Sequence, residues 1–235
     1  MTVLYEDNHL IIVNKNCGEI VQADSSGDIS LEQTVKEYLK KKYDKAGEVF
    51  LGVAHRLDRP VSGIVMFART SKALVRINQM FKEKQIKKTY WAYVKNLPPK
   101  NEDTLIHYII RNKKLNRSYA CSDERRDAKK AILHYRHIGS SERYHLLEIN
   151  LETGRHHQIR SQLAAIGCPV RGDLKYGYPR SNPNGGISLH ARQIQFMHPV
   201  KNEEITVTAP MPPLAASGES VVERAVPRRK TSPKT

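Results

Sequence analysis

The first residues in this sequence with chemical potential form one short segment, His55-Arg56-Leu57-Asp58-Arg59-Pro60-Val61-Ser62-Gly63. Proline fixes φ and glycine tolerates positive φ, so the segment reads as a tight, well-defined connection. A single carboxylate flanked by two arginines on such a turn suits a stored reactive group, and it suits an ordinary surface turn as well. A second segment, Glu152 to Asp173, adds candidates. Thr153-Gly154 reads as a turn, and Gly167 with Pro169 marks a helix end. Between them Ile159, Leu163 and Ile166 recur at i, i+4 and i+7, the core side of a helix. His156, His157 and Arg160 are spaced to share a different face. Such a helix either lines a cleft or presents a solvated basic surface.

Other chemistries fit the residue pattern poorly. Ten histidines invite a metal, but His134 and His137 stand three apart on a strand-like segment and so face opposite ways. The adjacent His156 and His157 do not easily face one ion, and neither cysteine pairs nor a His-Glu-x-x-His pattern occurs, so no metal site is expected. Ser62-Gly63 lacks the setting of a hydrolase nucleophile elbow. No paired carboxylate stands near Asp58, which argues against two-acid glycosidase chemistry. One acid, several arginines and aromatic residues remain, on a strongly basic chain.

That basicity has its own meaning. A formal charge of +15 and a pI near 9.7 point to a polyanionic partner, nucleic acid first and an anionic membrane surface second. Residues 69–100 carry nine basic side chains against one acid, Glu83, whereas a solvated helix face usually mixes signs. A phosphate-facing surface is therefore expected there and over the basic stretch 111–130. Cys17, Cys121 and Cys168 have no paired spacing, which suggests a reducing compartment. No apolar run approaches the ~20 residues needed to span a bilayer. The first residues lack a basic-then-apolar signal, so a cytoplasmic protein is expected.

The elements that must position these residues are legible from periodicity. Residues 3–5, 10–14, 49–54 and 64–68 read as strands, the last two flanking the Asp58 turn. Leu31, Val35, Tyr38 and Leu39 mark a helix with Ser30 and Gln33 as capping box. A second helix begins at Ser71, with Leu74, Ile77 and Phe81 inward and Lys72, Arg76, Lys82 and Lys84 outward. Strands follow over 88–94, 131–135, 144–151, 187–196 and 204–208, with two strand fragments inside 111–130. Many strands, few helices and no βαβ rhythm predict an α+β fold with a large, mostly antiparallel sheet. One domain over 1–214 and a basic, disordered tail over 215–235 are expected.

Five ordered pieces then resemble one family. They are Leu4 to Lys15, His55 to Gly63, Lys88-Thr89-Tyr90-Trp91-Ala92-Tyr93-Val94, Thr153 to Arg160 with its His-His-Gln-Ile-Arg run, and Gly172-Asp173-Leu174-Lys175-Tyr176-Gly177. In that order they are similar to the pseudouridine synthases of the RluA type, over about nine-tenths of the chain, from Leu4 to near Pro212. The resemblance implies the pseudouridine synthase catalytic fold, a mixed, mostly antiparallel sheet with flanking helices and a central cleft. It implies isomerisation of specific uridines in ribosomal or transfer RNA stem-loops, with uracil detached at N1 and rejoined through C5, and without cofactor or metal. Asp58 would be the catalytic aspartate, attacking at the ribose or at the ring. Arg160 would pair with it, and a guanidinium can grip a carboxylate with two parallel hydrogen bonds. Tyr90 would stack on the base and help remove the C5 proton, Arg56 would support the flipped-out nucleotide, and His157 and Gln158 would also bind substrate. Such a site needs its carboxylate oriented. Two departures stand out: Asn16-Cys17 where Pro-Ala is common, and His156 in place of a small hydroxyl residue. No RNA-binding appendage ahead of the domain is expected, so RNA contacts are expected from the domain itself, acting as a monomer with no obligate protein partner. The competing expectation is a non-catalytic RNA-binding or ribosome-assembly protein that kept the fold.

Overall fold

A computed structural model describes residues 1–212 and the backbone of Val222–Glu223. The chain runs β1 (Thr2–Glu6), β2 (Leu10–Lys15), α1 (Leu31–Lys42), β3 (Gly52–Val53), β4 (Ser62–Ala68), α2 (Ser71–Lys82) and β5 (Lys87–Val94). It continues through β6 (Glu102–Asn112), β7 (Arg117–Cys121), β8 (Lys129–Ser140), β9 (His145–Leu151), α3 (Gln158–Ala165), β10 (Leu189–Met197), β11 (Glu204–Thr208) and β12 (Val222–Glu223). The strands form one mixed sheet in the order β1-β2-β4-β10-β5-β9-β8-β6-β7, with β3, β11 and β12 attached to β4, β10 and β8. The α+β architecture is the one that the strand-rich sequence predicts.

Burial explains why β2 and β4 read as continuous apolar runs: both faces are covered. Ile11, Val13, Val65 and Phe67 pack under Leu31, Val35 and Leu39 of α1. Leu10, Ile12, Ile64 and Met66 join a second core with Ala73, Ile77 and Met80 of α2, which extends to Tyr90, Leu133, Ile149 and α3 residues Ile159 and Leu163. Each fully buried aliphatic or aromatic side chain here stabilises the fold by ~1.5–3 kcal/mol. The capping box on α1 is present, with Ser30 accepting from the Gln33 amide and Gln33 reaching back to the Ser30 amide.

The pairing that matters for the site is the parallel one, His190 and Ala191 of β10 against Ser62 and Gly63 of β4. Gly63 has φ +111, and a Cβ there would collide with the Ala191 backbone. Only glycine allows β10 to lie against β4 at the residue following the Asp58 turn.

Four expectations are corrected. The strand expected over 49–54 is two residues long, Gly52–Val53, and Phe50 is exposed. The apolar stripe of α2 is rotated, with Ala73, Ile77 and Met80 buried while Leu74 and Phe81 flank them. The eleven-residue strand β6 begins at Glu102, ahead of the strand fragments expected within 111–130. Its Glu102-Asp103-Thr104 start and His107 break the apolar alternation. Helix α3 starts only at Gln158, so His156 and His157 precede it and are not on its face. The tail expected over 215–235 lies outside the described residues, apart from β12, whose Val222 and Glu223 pair with Ser140 and Gly139.

Candidate active site

Asp58 stands on a turn closed by the Val61 amide donating to the Asp58 carbonyl at 3.0 Å. The turn is fixed from below by Lys15, whose side chain is fully buried at the end of β2. Its ammonium donates to the carbonyls of Val61, Arg59 and Asn16 at 2.7, 3.1 and 2.9 Å. Burial pushes its pKa down to about 8, with nearby acids working the other way. The Gly18 amide donates to Arg59 and the Ile187 amide to Pro60, at 2.8 and 3.0 Å. At the two ends, His55 Nε2 accepts the Met66 amide at 3.1 Å, and Ser62 Oγ pairs with His190 Nδ1 at 2.9 Å. Burial, then Lys88, drives the His55 pKa to about 3, so His55 stays neutral and keeps that acceptor. The carboxylate therefore rides on a rigid turn.

Its partners come from the segment around α3. Arg160 Nη1 donates to Asp58 Oδ2 at 3.0 Å. The two-pronged grip expected between these residues is made elsewhere: Arg160 Nε and Nη2 hold Asp173 Oδ2 and Oδ1 at 2.7 and 3.0 Å. One guanidinium thus serves two acids, with its fork on the buried one and its remaining edge on Asp58. Burial opposes the Arg160 charge, but the hydrogen bond to Asp173, then the charges of Asp173 and Asp58, raise its pKa overall. His157 adopts φ +51 ahead of α3 and places Nε2 at 3.5 Å from Asp58 Oδ2. Its ring stacks on His156, with centroids 3.8 Å apart.

The other residues expected at the site separate into two groups. Tyr90, on β5, is buried, and burial followed by the Asp58 charge raises its pKa, so the phenol is neutral at physiological pH. Arg56 is exposed on the Asp58 loop. Gln158 does not offer its amide to a ligand. It is buried, accepts from Thr153 Oγ1 and the Arg155 amide at 2.8 and 2.9 Å, and donates to the Ile132 carbonyl at 3.1 Å. It ties the 153–155 turn to β8.

Four residues that sequence reasoning passed over complete the arrangement. Lys15 ends an apolar strand, where a charge is out of place, and that was its signal. Asp173 and Tyr176 lie between Gly172 and Gly177, a lone acid and a lone aromatic in a turn. Lys88 lies over the Phe81 ring at 5.4 Å, with its pKa lowered by burial and no acidic partner among the described residues. Among the described residues no three His, Cys, Asp or Glu side chains gather as metal ligands would. Two cavities, of about 480 and 470 Å³, lie away from Asp58, one on the outer face of β6, β8 and β9 and one beside α1. Asp58 is instead at an open surface, with its side chain 30% exposed.

A family model described as RNA pseudouridylate synthase matches residues 9–165. An uncharacterised RNA pseudouridine synthase of Synechocystis sp. is 33% identical over 215 residues, covering 90% of this chain and 66% of its own length. The ribosomal large subunit pseudouridine synthase C of Rickettsia prowazekii is 33% identical over 212 residues, covering 89% and 68%. The tRNA pseudouridine synthase C of Pectobacterium carotovorum is 30% identical over 230 residues, covering 89% and 58%. The chain thus spans about two thirds or less of the length of these relatives. Among solved structures, human RNA pseudouridylate synthase domain containing 4 superposes with a TM-score of 0.76 at 23% identity, covering 90% of this chain and 89% of that one. That last likeness is one of fold.

Proposed function

The chain belongs to the RNA pseudouridylate synthase family, and we propose that it converts uridine to pseudouridine in structured RNA, ribosomal or transfer, with Asp58 as the nucleophile. The observation that carries this reading is the Asp58 carboxylate, partly exposed on a pinned turn and held by the buried Arg160. The reaction breaks the bond from N1 to the ribose and makes one from C5, with C5 losing a proton and N1 gaining one, so it needs no oxidant or co-reactant. Attack at the ribose or at the ring uses the same carboxylate, bonded to substrate and later released. Orientation is what the protein must supply, and the Lys15 and Arg160 contacts supply it.

Tyr90 provides the flat face against the uracil ring. Its raised pKa makes it a stacking platform and hydrogen-bond partner rather than a phenolate base. Arg56 and Lys88 supply positive charge for the flipped-out nucleotide, where unstacking costs a few kcal/mol that phosphate and stacking contacts offset. Lys113 and Lys114 in the β6–β7 turn, and the basic face of α2, extend that field toward the RNA helix. In this reading the chain acts as a monomer in the cytoplasm, without a cofactor.

The test is a pseudouridine map of total RNA from cells carrying the wild-type chain, Asp58→Asn, or neither. Sites present only with wild type support the reading and name the target. Full modification by Asp58→Asn sinks the assignment of the nucleophile. Tight RNA binding with no wild-type-dependent site selects a non-catalytic RNA-binding protein instead.

A further inference from the structure

The Tyr176 hydroxyl links two groups whose donor roles can be worked out. The Ser118 backbone amide is a donor in every protonation state, and it points at Tyr176 Oη from 2.8 Å. The hydroxyl proton of Tyr176 then needs its own acceptor. Among the described residues that acceptor is His157 Nδ1, at 2.9 Å. A neutral imidazole that accepts at Nδ1 carries its proton on Nε2. That nitrogen faces Asp58 Oδ2, the oxygen already bonded to Arg160. Asp58 Oδ1 has no protein partner among the described residues, so the two oxygens of the carboxylate are not equivalent.

The neighbouring ring has the same order. Asn116 Oδ1 accepts from His156 Nε2 at 3.1 Å, and Ser118 Oγ then donates to His156 Nδ1 at 2.8 Å. His156 therefore lies flat against His157, at an interplanar angle of 18°, hung from the start of β7. The unusual residue at this position holds the His157 ring in its plane. Burial, then Arg160, pushes the His157 pKa to about 2, which keeps the imidazole neutral over any working pH.

We propose that Tyr176 is a positioning residue for the reaction: through His157 it anchors Oδ2 of Asp58 and leaves Oδ1 as the oxygen that attacks uridine. The catalytic part rests on the function proposed above, whereas the proton placement stands on the hydrogen bonds alone. The Arg160 guanidinium that holds Asp58 also lies over the Tyr176 ring, 5.0 Å from its centre. The His157 Nε2 to Asp58 Oδ2 distance of 3.5 Å is longer than a made hydrogen bond, and catalytic hydrogen bonds are commonly long in the absence of substrate.

The experiment combines nitrogen-15 NMR of His157 with steady-state kinetics on an RNA shown to be modified. In wild type, Nδ1 is expected unprotonated and Nε2 protonated. In Tyr176→Phe the ring is expected to populate both tautomers, and kcat to fall about tenfold with KM within about twofold, the pattern of an interaction used in the transition state. His157→Gln, which places an amide donor near the Nε2 position, is expected to recover part of the rate lost in His157→Ala. A merely structural Tyr176 would lower the melting temperature without moving the tautomer or splitting kcat from KM. A wild-type His157 with its proton on Nδ1 overturns the inference whatever the activity. So does Tyr176→Phe with a changed tautomer and an unchanged kcat. A wild-type protein that modifies no RNA overturns the function reading instead, because the NMR measurement needs no turnover.

Discussion

Replacing Asp173 by alanine tests whether the shared guanidinium is structural as well as functional. The Arg160 and Asp173 side chains are 5% and 1% exposed, and their two hydrogen bonds are 2.7 and 3.0 Å long. Removing one partner of a buried ion pair costs ~3–5 kcal/mol, because the other charge is left uncompensated in a poor dielectric. Asp58 remains beside Arg160 as a second, more exposed counter-charge, which places the expected loss near ~3 kcal/mol, the lower end of that range. A control with a similar pairing distance, through one hydrogen bond instead of two, lies on the open face of the sheet. Arg136 and Glu148 pair at 2.9 Å, but with side chains 41% and 25% exposed. Glu148→Ala is therefore expected to cost at most ~1 kcal/mol. Urea unfolding followed by the fluorescence of Trp91, the single tryptophan, reads both variants. With a slope of ~2 kcal/mol per molar, the Asp173→Ala midpoint should fall by ~1.5 M and the control midpoint by ~0.5 M or less. Equal losses in the two variants would refute the claim that burial, rather than pairing distance, sets the value of these contacts. Modification by the folded fraction of Asp173→Ala should also fall, since Arg160 loses the anchor that aims its Nη1 edge at Asp58.

Two further outcomes follow from single groups. Tyr90→Phe keeps the aromatic face and should leave RNA affinity unchanged in a filter-binding assay while slowing turnover; an equal loss of binding would contradict that division. Lys15 has a folded-state pKa of about 8 against an ordinary 10.5. The unfolded chain therefore holds the extra proton between those values, and stability should rise with pH across that window, by up to ~3 kcal/mol. The difference in unfolding free energy between wild type and Lys15→Met, measured from pH 7 to 10.5, isolates this rise, and a flat or falling difference would refute it.

Much of this molecule was legible in its sequence because local signals agreed with tertiary needs. Leu10 to Val13 and Ile64 to Ala68 read as buried strands since both faces are covered, and Ser30 with Gln33 marked a helix start that the backbone needs. The turn holding Asp58 and the segment holding Arg160 were also visible as residue patterns. What escaped depended on contacts between distant segments. The fork of Arg160 goes to an acid thirteen residues further on, and nothing in the spacing says which acid wins. His156 and His157 satisfy helical spacing, yet His157 is bound by Tyr176 and takes a left-handed backbone, so the helix begins one residue later. Gln158 has the look of a ligand contact, but an amide with two donors and an acceptor is equally suited to stapling a turn to a strand. Strand β6 was hidden by its polar start, because the outer face of that half of the sheet is open to solvent.

The separation of Asp58 and Arg160 by 102 residues has a consequence for biosynthesis. The parallel pairing that backs the site is longer still, with Ser62 meeting His190 across 128 residues. Such contacts carry a loop-closure cost before they return any stabilisation, so the pairing of β4 with β10 belongs to the late, slow part of folding. During synthesis at ~5–20 residues per second, Asp58 leaves the ribosome roughly 5–20 s before the arginine that holds it. A nascent or truncated chain then carries the acid without its geometry. The arrangement around Asp58 is complete only once β10 has paired with β4.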